Sequence, residues 1–295
     1  MFSRILAPSS GPARRRPPVV LGVAALVALV ALAPPARARH AQFSSSVTLV
    51  EVYATVVDRG GRPVVDLARD AFVVKEDDVP REVQTFAAGA FPLSVALAID
   101  RSWSMAGAPL DQARSASQRF LASLRPSDEA MVIGVSSEVE TLAPLSRDRA
   151  AQEAAVAALS PWGSTKLHDA ILEAHTRIGA ASGRRALLVL SDGRDRGSAE
   201  TAAELVERVR RGHVIVYPVV FGAQNSSLLV QLAAFTGGRA FWVRRAEEIE
   251  GVFADVAREL RHQYLIGYVP APAPGRTGAW RRITVEVPGR PGVRV

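Results

Sequence analysis

Three short stretches of this 295-residue chain gather oxygen donors and little else. Asp100-Arg101-Ser102-Trp103-Ser104 sets one carboxylate and two hydroxyls at alternate positions of a tight loop. Gly163-Ser164-Thr165 offers a further hydroxyl, and Ser191-Asp192-Gly193 a second carboxylate. No sulfur or imidazole stands among them. Such a set suits a hard cation such as Mg²⁺, which takes near-octahedral oxygen coordination and keeps several waters. Asp and Ser also cap helices that follow strands, so the D-x-S-x-S pattern alone leaves capping open. The two later stretches shift the balance towards a metal.

The elements that must position these donors are legible around them. Residues 93–99 form an unbroken apolar run, as in a strand buried on both faces of a parallel sheet. Helical spacing follows over 110–124, and again over 166–180, where Leu167, Ala170, Ile171, Ala174 and Ile178 share a face. Residues 130–135, 186–190 and 214–221 predict further buried strands, Pro218 implying a bend or bulge. Residues 139–145 read as an antiparallel edge, and 240–243 as a short strand. Helices are expected over 148–159 and 227–235, and around Ile249, Val252, Phe253, Val256 and Leu260. Another can be capped by Ser198 or, as a second option, by the pair Thr201 and Glu204. The alternation predicts an α/β fold: a doubly wound, mostly parallel open sheet, Rossmann-like in layout. Ligands of such sheets bind outside the carboxyl ends of the strands, where the donor stretches fall.

The order strand, D-x-S-x-S, helix, then G-S-T opening a helix, then strand and S-D-G resembles the von Willebrand factor type A domain and its metal-ion-dependent adhesion site. The resemblance spans residues 91–262. It implies Asp100, Ser102, Ser104, Thr165 and Asp192 as the metal set, at least one carboxylate acting through water. The implied cation is Mg²⁺, or Mn²⁺ or Ca²⁺, with an open position for an acidic residue of a protein partner. Bond chemistry is not implied. Trp103 stands where the family commonly has a small residue. Trp103 and Trp162 would flank the mouth as aromatic anchors, unless one packs inward against the sheet end. Arg101, Lys166 and Arg194 would form a basic rim, or ordinary solvated charge. Asp169 reads as a helix-terminus charge.

Two rival functions remain. One is a Mg²⁺-dependent phosphoryl-transfer enzyme using Asp100 as nucleophile, although such enzymes usually carry a second Asp where Ser102 stands. The other is a structural protein whose metal only rigidifies the loops. The five histidines are scattered, His168 and His175 reading as surface residues, and H-E-x-x-H, G-x-S-x-G, phosphate-loop and G-x-G-x-x-G patterns are missing.

The ends of the chain have another character. Five of the seven net positive charges come from Arg4, Arg14, Arg15, Arg16 and Arg37, so the remainder gives no case for nucleic acid. That leader has a basic end, an apolar run over 19–33 and an Ala36-Arg37-Ala38 cleavage site. The expectation is a signal peptide over 1–38 and a bacterial exported protein, periplasmic or secreted, with no stable membrane span after cleavage. Without cysteine the fold rests on its core alone. Within 39–90, residues 47–86 read as short strands with a turn at Asp58-Arg59-Gly60-Gly61, and the run 61–86 resembles the front module of bacterial exported type A proteins. Glu76, Asp77 and Asp78 read as a solvated turn. Residues 263–295 return to β character around a Pro/Gly-rich link over 270–278. Neither end can fold alone. The 39–90 and 263–295 segments are therefore expected to form one small β module, with the type A domain of 91–262 inserted between them.

Overall fold

A computed structural model describes residues 49–89, 91–222, 226–272 and 280–295. The expected leader lies outside the described residues, as does most of the Pro/Gly-rich link. Four strands come first: β1 (Val50–Thr55), β2 (Val73–Glu76), β3 (Val79–Arg81) and β4 (Val83–Gly89). The α/β portion follows with β5 (Leu93–Asp100), α1 (Ala108–Ser123), β6 (Glu129–Val135), β7 (Val139–Ser146) and α2 (Arg149–Ala157). It continues through α3 (Leu167–Gly179), β8 (Arg184–Ser191), α4 (Ala202–Arg210), β9 (Ile215–Phe221) and α5 (Ser227–Thr236). Then come β10 (Phe241–Val243), α6 (Glu248–Arg261), β11 (Gln263–Tyr268) and β12 (Ile283–Glu286).

The large sheet has the order β10-β9-β8-β5-β6-β7, parallel except for β7, which returns antiparallel along β6. Every residue of β5 is buried, because helices cover both faces. Leu93, Val95, Leu97 and Ile99 pack into the core under α1, α2 and α6. Ala96 and Ala98 face the core under α3, α4 and α5. The period-2 alternation of the strand therefore separates two apolar layers, with the smaller side chains against α3.

Three local expectations change. Thr201, not Ser198, caps α4: its hydroxyl accepts from Glu204 N–H and the Glu204 carboxylate accepts from Thr201 N–H, a reciprocal capping box. Ser198 instead donates to Asp195 Oδ1 at 2.5 Å. At Pro218 the pairing of β9 with β8 keeps its register, and β10 pairs only from Val219 onwards, so the missing N–H precedes that ladder. His175 is buried against Gly212, where a Cβ would stand 2.2 Å from its ring. Burial holds its imidazole below the ordinary histidine range.

The remaining strands make two three-stranded sheets, β1-β11-β4 and β12-β2-β3, all antiparallel. They share a core of Val56, Phe72, Val74, Tyr264, Ile266 and Tyr268. The Phe72 and Tyr264 rings lie 4.8 Å apart, and Tyr264 Oη donates to Val64 O at 2.7 Å. The strand after β2 is an addition to the expected pattern. Asp77 and Asp78 take φ of 49° and 66°, a tight two-residue turn, so the chain doubles back at once into β3. Glu76 corrects the expectation of a solvated turn. It is buried, accepting from Arg81 at 3.0 Å, Arg281 at 2.8 Å and Ala271 N–H at 3.0 Å. Burial pushes its carboxyl up, but these three donors together hold it below the ordinary glutamate range.

The α/β portion leaves and re-enters this β module through neighbouring strands, Gly89 of β4 lying opposite Gln263 of β11. Buried Arg184, at the start of β8, ties the junction: it donates to Phe91 O at 2.6 Å, to Gln263 Oε1 at 3.1 Å and to Leu260 O.

Candidate metal site

The carboxyl end of β5 delivers Asp100 into a buried position at the top of the large sheet. Asp100 Oδ1 accepts from Ser102 N–H at 2.9 Å, an Asx-type turn that takes the chain sharply out of the strand. The Ser102 and Ser104 hydroxyls lie 3.0 Å apart, Ser102 buried and Ser104 exposed. Alternate spacing in the loop thus stacks two hydroxyls beside one carboxylate.

Backbone hydrogen bonds join this loop to the second. Trp162 N–H donates to Arg101 O at 2.7 Å, and Trp103 N–H to Gly163 O at 3.1 Å. Gly163 has φ of 70° and lies so close to Ser137 that a Cβ would stand 2.5 Å from its hydroxyl, hence glycine. Ser137 Oγ also accepts from Ser164 N–H at 2.8 Å, and Lys166 N–H donates to Ser136 O at 2.9 Å. The loop after β6 therefore holds the G-S-T turn, and Thr165 is buried behind it. A third link closes the cluster, Arg196 N–H donating to Thr165 O at 2.7 Å from beyond Asp192.

Asp192 is buried and near enough to Asp100 for their charges to repel. Burial first, and then this repulsion, raise the Asp100 carboxyl above the ordinary aspartate range against the hydrogen bonds of Ser102 and Ser191. Among the described residues, no arginine or lysine reaches Asp100. The donor set therefore fits a divalent cation: two neighbouring carboxylates, one buried without counter-charge, with hydroxyls of Ser102 and Ser104 alongside. No group of three or more His, Cys, Asp or Glu able to hold a metal ion occurs among the described residues, so hydroxyls and water would supply the rest of a coordination shell.

Motif reading missed Ser191. Its hydroxyl donates to Asp100 Oδ2 at 2.6 Å, fixing the second carboxylate oxygen from the neighbouring strand. The signal was present in the S-D-G triplet, since parallel β5 and β8 bring their ends side by side.

The expected rim residues divide. Trp103 is 65% exposed and Trp162 41% exposed, so neither is packed inside the sheet end. Arg101 is half-buried and turned aside: it pairs with Glu140 at 2.8 Å and lies over the Trp162 ring at 5.6 Å. Arg194 is exposed, its Nε 3.8 Å from Asp192 Oδ2. Lys166 is half-buried at the start of α3. Asp169 accepts from the N–H groups of Ala199 and Glu200, closing the loop below Asp192.

A family model described as the von Willebrand factor type A domain matches residues 94–255. No curated protein matches the chain. Among solved structures, a von Willebrand factor type A protein from Catenulispora acidiphila aligns with a TM-score of 0.52 at 15% identity, over 85% of this chain and 72% of that one. Proximal thread matrix protein 1 from the mussel byssus gives a TM-score of 0.53 at 13% identity, over 63% of this chain and 51% of that one. A further structure of that mussel protein, described as having a zinc-occupied MIDAS motif, gives 0.52 at 14% identity, over 61% and 48% of the two chains. At such identities the likeness is one of fold.

Proposed function

This chain belongs to the von Willebrand factor type A family, and we propose that it is an exported binding protein which takes a carboxylate of a protein partner through a divalent cation. Domains of this family are generally non-catalytic adhesion modules. Asp100, Ser102, Ser104, Thr165 and Asp192 would hold the cation, Mg²⁺ before Mn²⁺ or Ca²⁺ for an all-oxygen set. The observation that carries this reading is the buried Asp100 carboxylate, which has no basic partner among the described residues. When bound, a cation there offers an open coordination position to a carboxylate from outside. Zinc in the MIDAS motif of the mussel protein supports a divalent ion at this kind of site.

The chain's own residues shape what can approach. Ser191 and the Ser102 amide fix both oxygens of Asp100, so the carboxylate is held in one orientation before any ligand arrives. Trp103 and Trp162 present exposed aromatic surface beside the hydroxyls, suited to an apolar side chain next to the partner's acid. Arg101 braces the Trp162 ring, and its bond to Glu140 keeps its charge from competing with a cation. Lys166 and Arg194 add positive charge around the mouth, which favours an acidic partner mainly through its rate of approach. The exposed tryptophans speak for binding over a purely rigidifying metal. Export rests on the leader expected at 1–38, and amino-terminal sequencing of protein from the producing cell should find the chain starting near Arg39.

The decisive experiment is capture of partners from envelope and culture fluid by the mature chain, with Mg²⁺ and with chelator. Partners should be lost with chelator and with Asp100→Ala, the variant keeping the circular dichroism of the wild type. Full metal-dependent capture by Asp100→Ala would refute the reading. A metal-dependent phosphatase activity lost in the same variant would favour phosphoryl transfer instead.

A further inference from the structure

The two sheets of the β module share one core and are joined at one corner, and among the described residues the other side is a seam between two edge strands. β3 and β4 are separated by Glu82 alone: Arg81 pairs with Val74 in one sheet, and Val83 with Tyr268 in the other. One bent strand thus belongs to both sheets, the way corners of orthogonal β packings are made. Reading around that corner gives the order β1-β11-β4/β3-β2-β12. The two terminal strands, β1 and β12, each pair on one side only among the described residues. At one end the gap is bordered by the segment beyond β12, whose Arg294 exchanges backbone hydrogen bonds of 2.8 and 2.9 Å with Val57.

Between these two strands lies a cavity of about 670 Å³, at the amino-terminal ends of the parallel strands and away from Asp100. Its wall takes consecutive residues, 52–55 from β1 and 283–285 from β12. A cavity against a sheet face would meet every second residue, because side chains alternate. Consecutive lining means that the backbone edges of both strands border the space, so it is flanked by N–H and C=O groups that are unpaired among the described residues. Thr55, in that wall, has a buried hydroxyl with no hydrogen-bond partner among the described residues. The charged residues around the cavity are Arg239, Arg258 and Arg294 against Asp255 and Glu259. Arg239 pairs with Glu259 at 3.4 Å and Arg258 with Asp255 at 3.1 Å, whereas Arg294 has no acidic partner among the described residues.

We infer that this seam is a second binding site, which takes an extended segment of a partner polypeptide carrying a carboxylate. The segment fills the seam as an added strand, its backbone pairing with β1, β12 or both, and its acidic side chain meeting Arg294. Pairing of this kind draws affinity from main-chain hydrogen bonds and selectivity from alternate side chains. The site needs no metal and is separate from the adhesion reading.

The test uses the mature chain and a fluorescein-labelled, amidated hexapeptide alternating valine and threonine with one central glutamate. Saturable binding by fluorescence anisotropy is expected, unchanged by chelator and by Asp100→Ala. Methylating alternate peptide nitrogens removes donors without touching the protein, and should weaken binding by about tenfold for two lost hydrogen bonds. Exchanging the glutamate for lysine, or Arg294→Ala in the protein, should weaken it by roughly threefold to fivefold. Equal binding of the methylated peptide would overturn strand pairing, and absence of saturable binding up to millimolar peptide would overturn the site. Binding abolished by chelator would place the peptide at the metal site and overturn the seam. Self-association of the chain that the peptide disrupts would put a second copy there instead of a partner's segment, overturning the assigned occupant.

Discussion

Two buried carboxylates, Asp100 in the α/β portion and Glu76 in the β module, show how differently one fold can treat a negative charge. Glu76 is enclosed by Arg81, Arg281 and the Ala271 amide, and its carboxyl lies below the ordinary range. Among the described residues Asp100 meets only hydroxyl and amide donors, and its carboxyl lies above its ordinary range. A charge taken out of water needs compensation. Glu76 finds it inside the chain and serves the fold. The compensation for Asp100 must come from outside, which is what a binding site requires.

Breaking the internal pair should have the largest effect. Glu76→Ala leaves two arginines beside a vacated buried position, and should cost about 3–5 kcal/mol in urea unfolding. The response to cation should separate the two carboxylates next. Mg²⁺ or Mn²⁺ at a hundred times its dissociation constant should stabilise the wild type by about 2.7 kcal/mol, seen as a raised thermal midpoint. Asp100→Ala should abolish that rise, whereas Glu76→Gln should keep it from a lower starting midpoint. Ser191→Ala probes support for Asp100 without removing its charge. It should weaken Mg²⁺ binding by about tenfold, at the low end for partners that orient metal ligands, in isothermal titration calorimetry. The smallest effect concerns acid. Because the folded pKa of Glu76 is depressed, its contribution is complete above the ordinary value of 4.5 and is lost as pH falls through the folded value. The urea midpoint of the wild type should therefore fall more steeply below that pH than the midpoint of Glu76→Gln. Parallel slopes would remove Glu76 from the acid response.

The sequence made the α/β portion legible because its signals are local. An apolar run such as 93–99 can only be a strand covered on both faces, and a strand-end motif carries its own address in a parallel sheet. The three donor stretches are accordingly legible as strand-end and helix-start loops. What stayed hidden depends on partners far away along the chain. Glu76 looked like part of a polar turn because Arg281, its counter-charge, lies 205 residues further on. Ser191 looked like a neighbour of Asp192, although its hydroxyl belongs to Asp100, 91 residues back. The exposure of both tryptophans was also undecidable from spacing, since it follows from the backbone bonds that hold their two loops together.

The pairing of β1 with β11 carries a mechanical consequence. Val50 lies opposite Tyr268, while Thr55 lies opposite Gln263, the residue at which the α/β portion joins the ladder. Tension between the amino-terminal end of β1 and that portion would pull the two strands lengthwise past each other. In this shear geometry all the hydrogen bonds along the paired strands resist together, whereas a peeling force would open them one after another. Pulled between the start of β1 and the top of its large sheet, the protein would therefore transmit force before it yields.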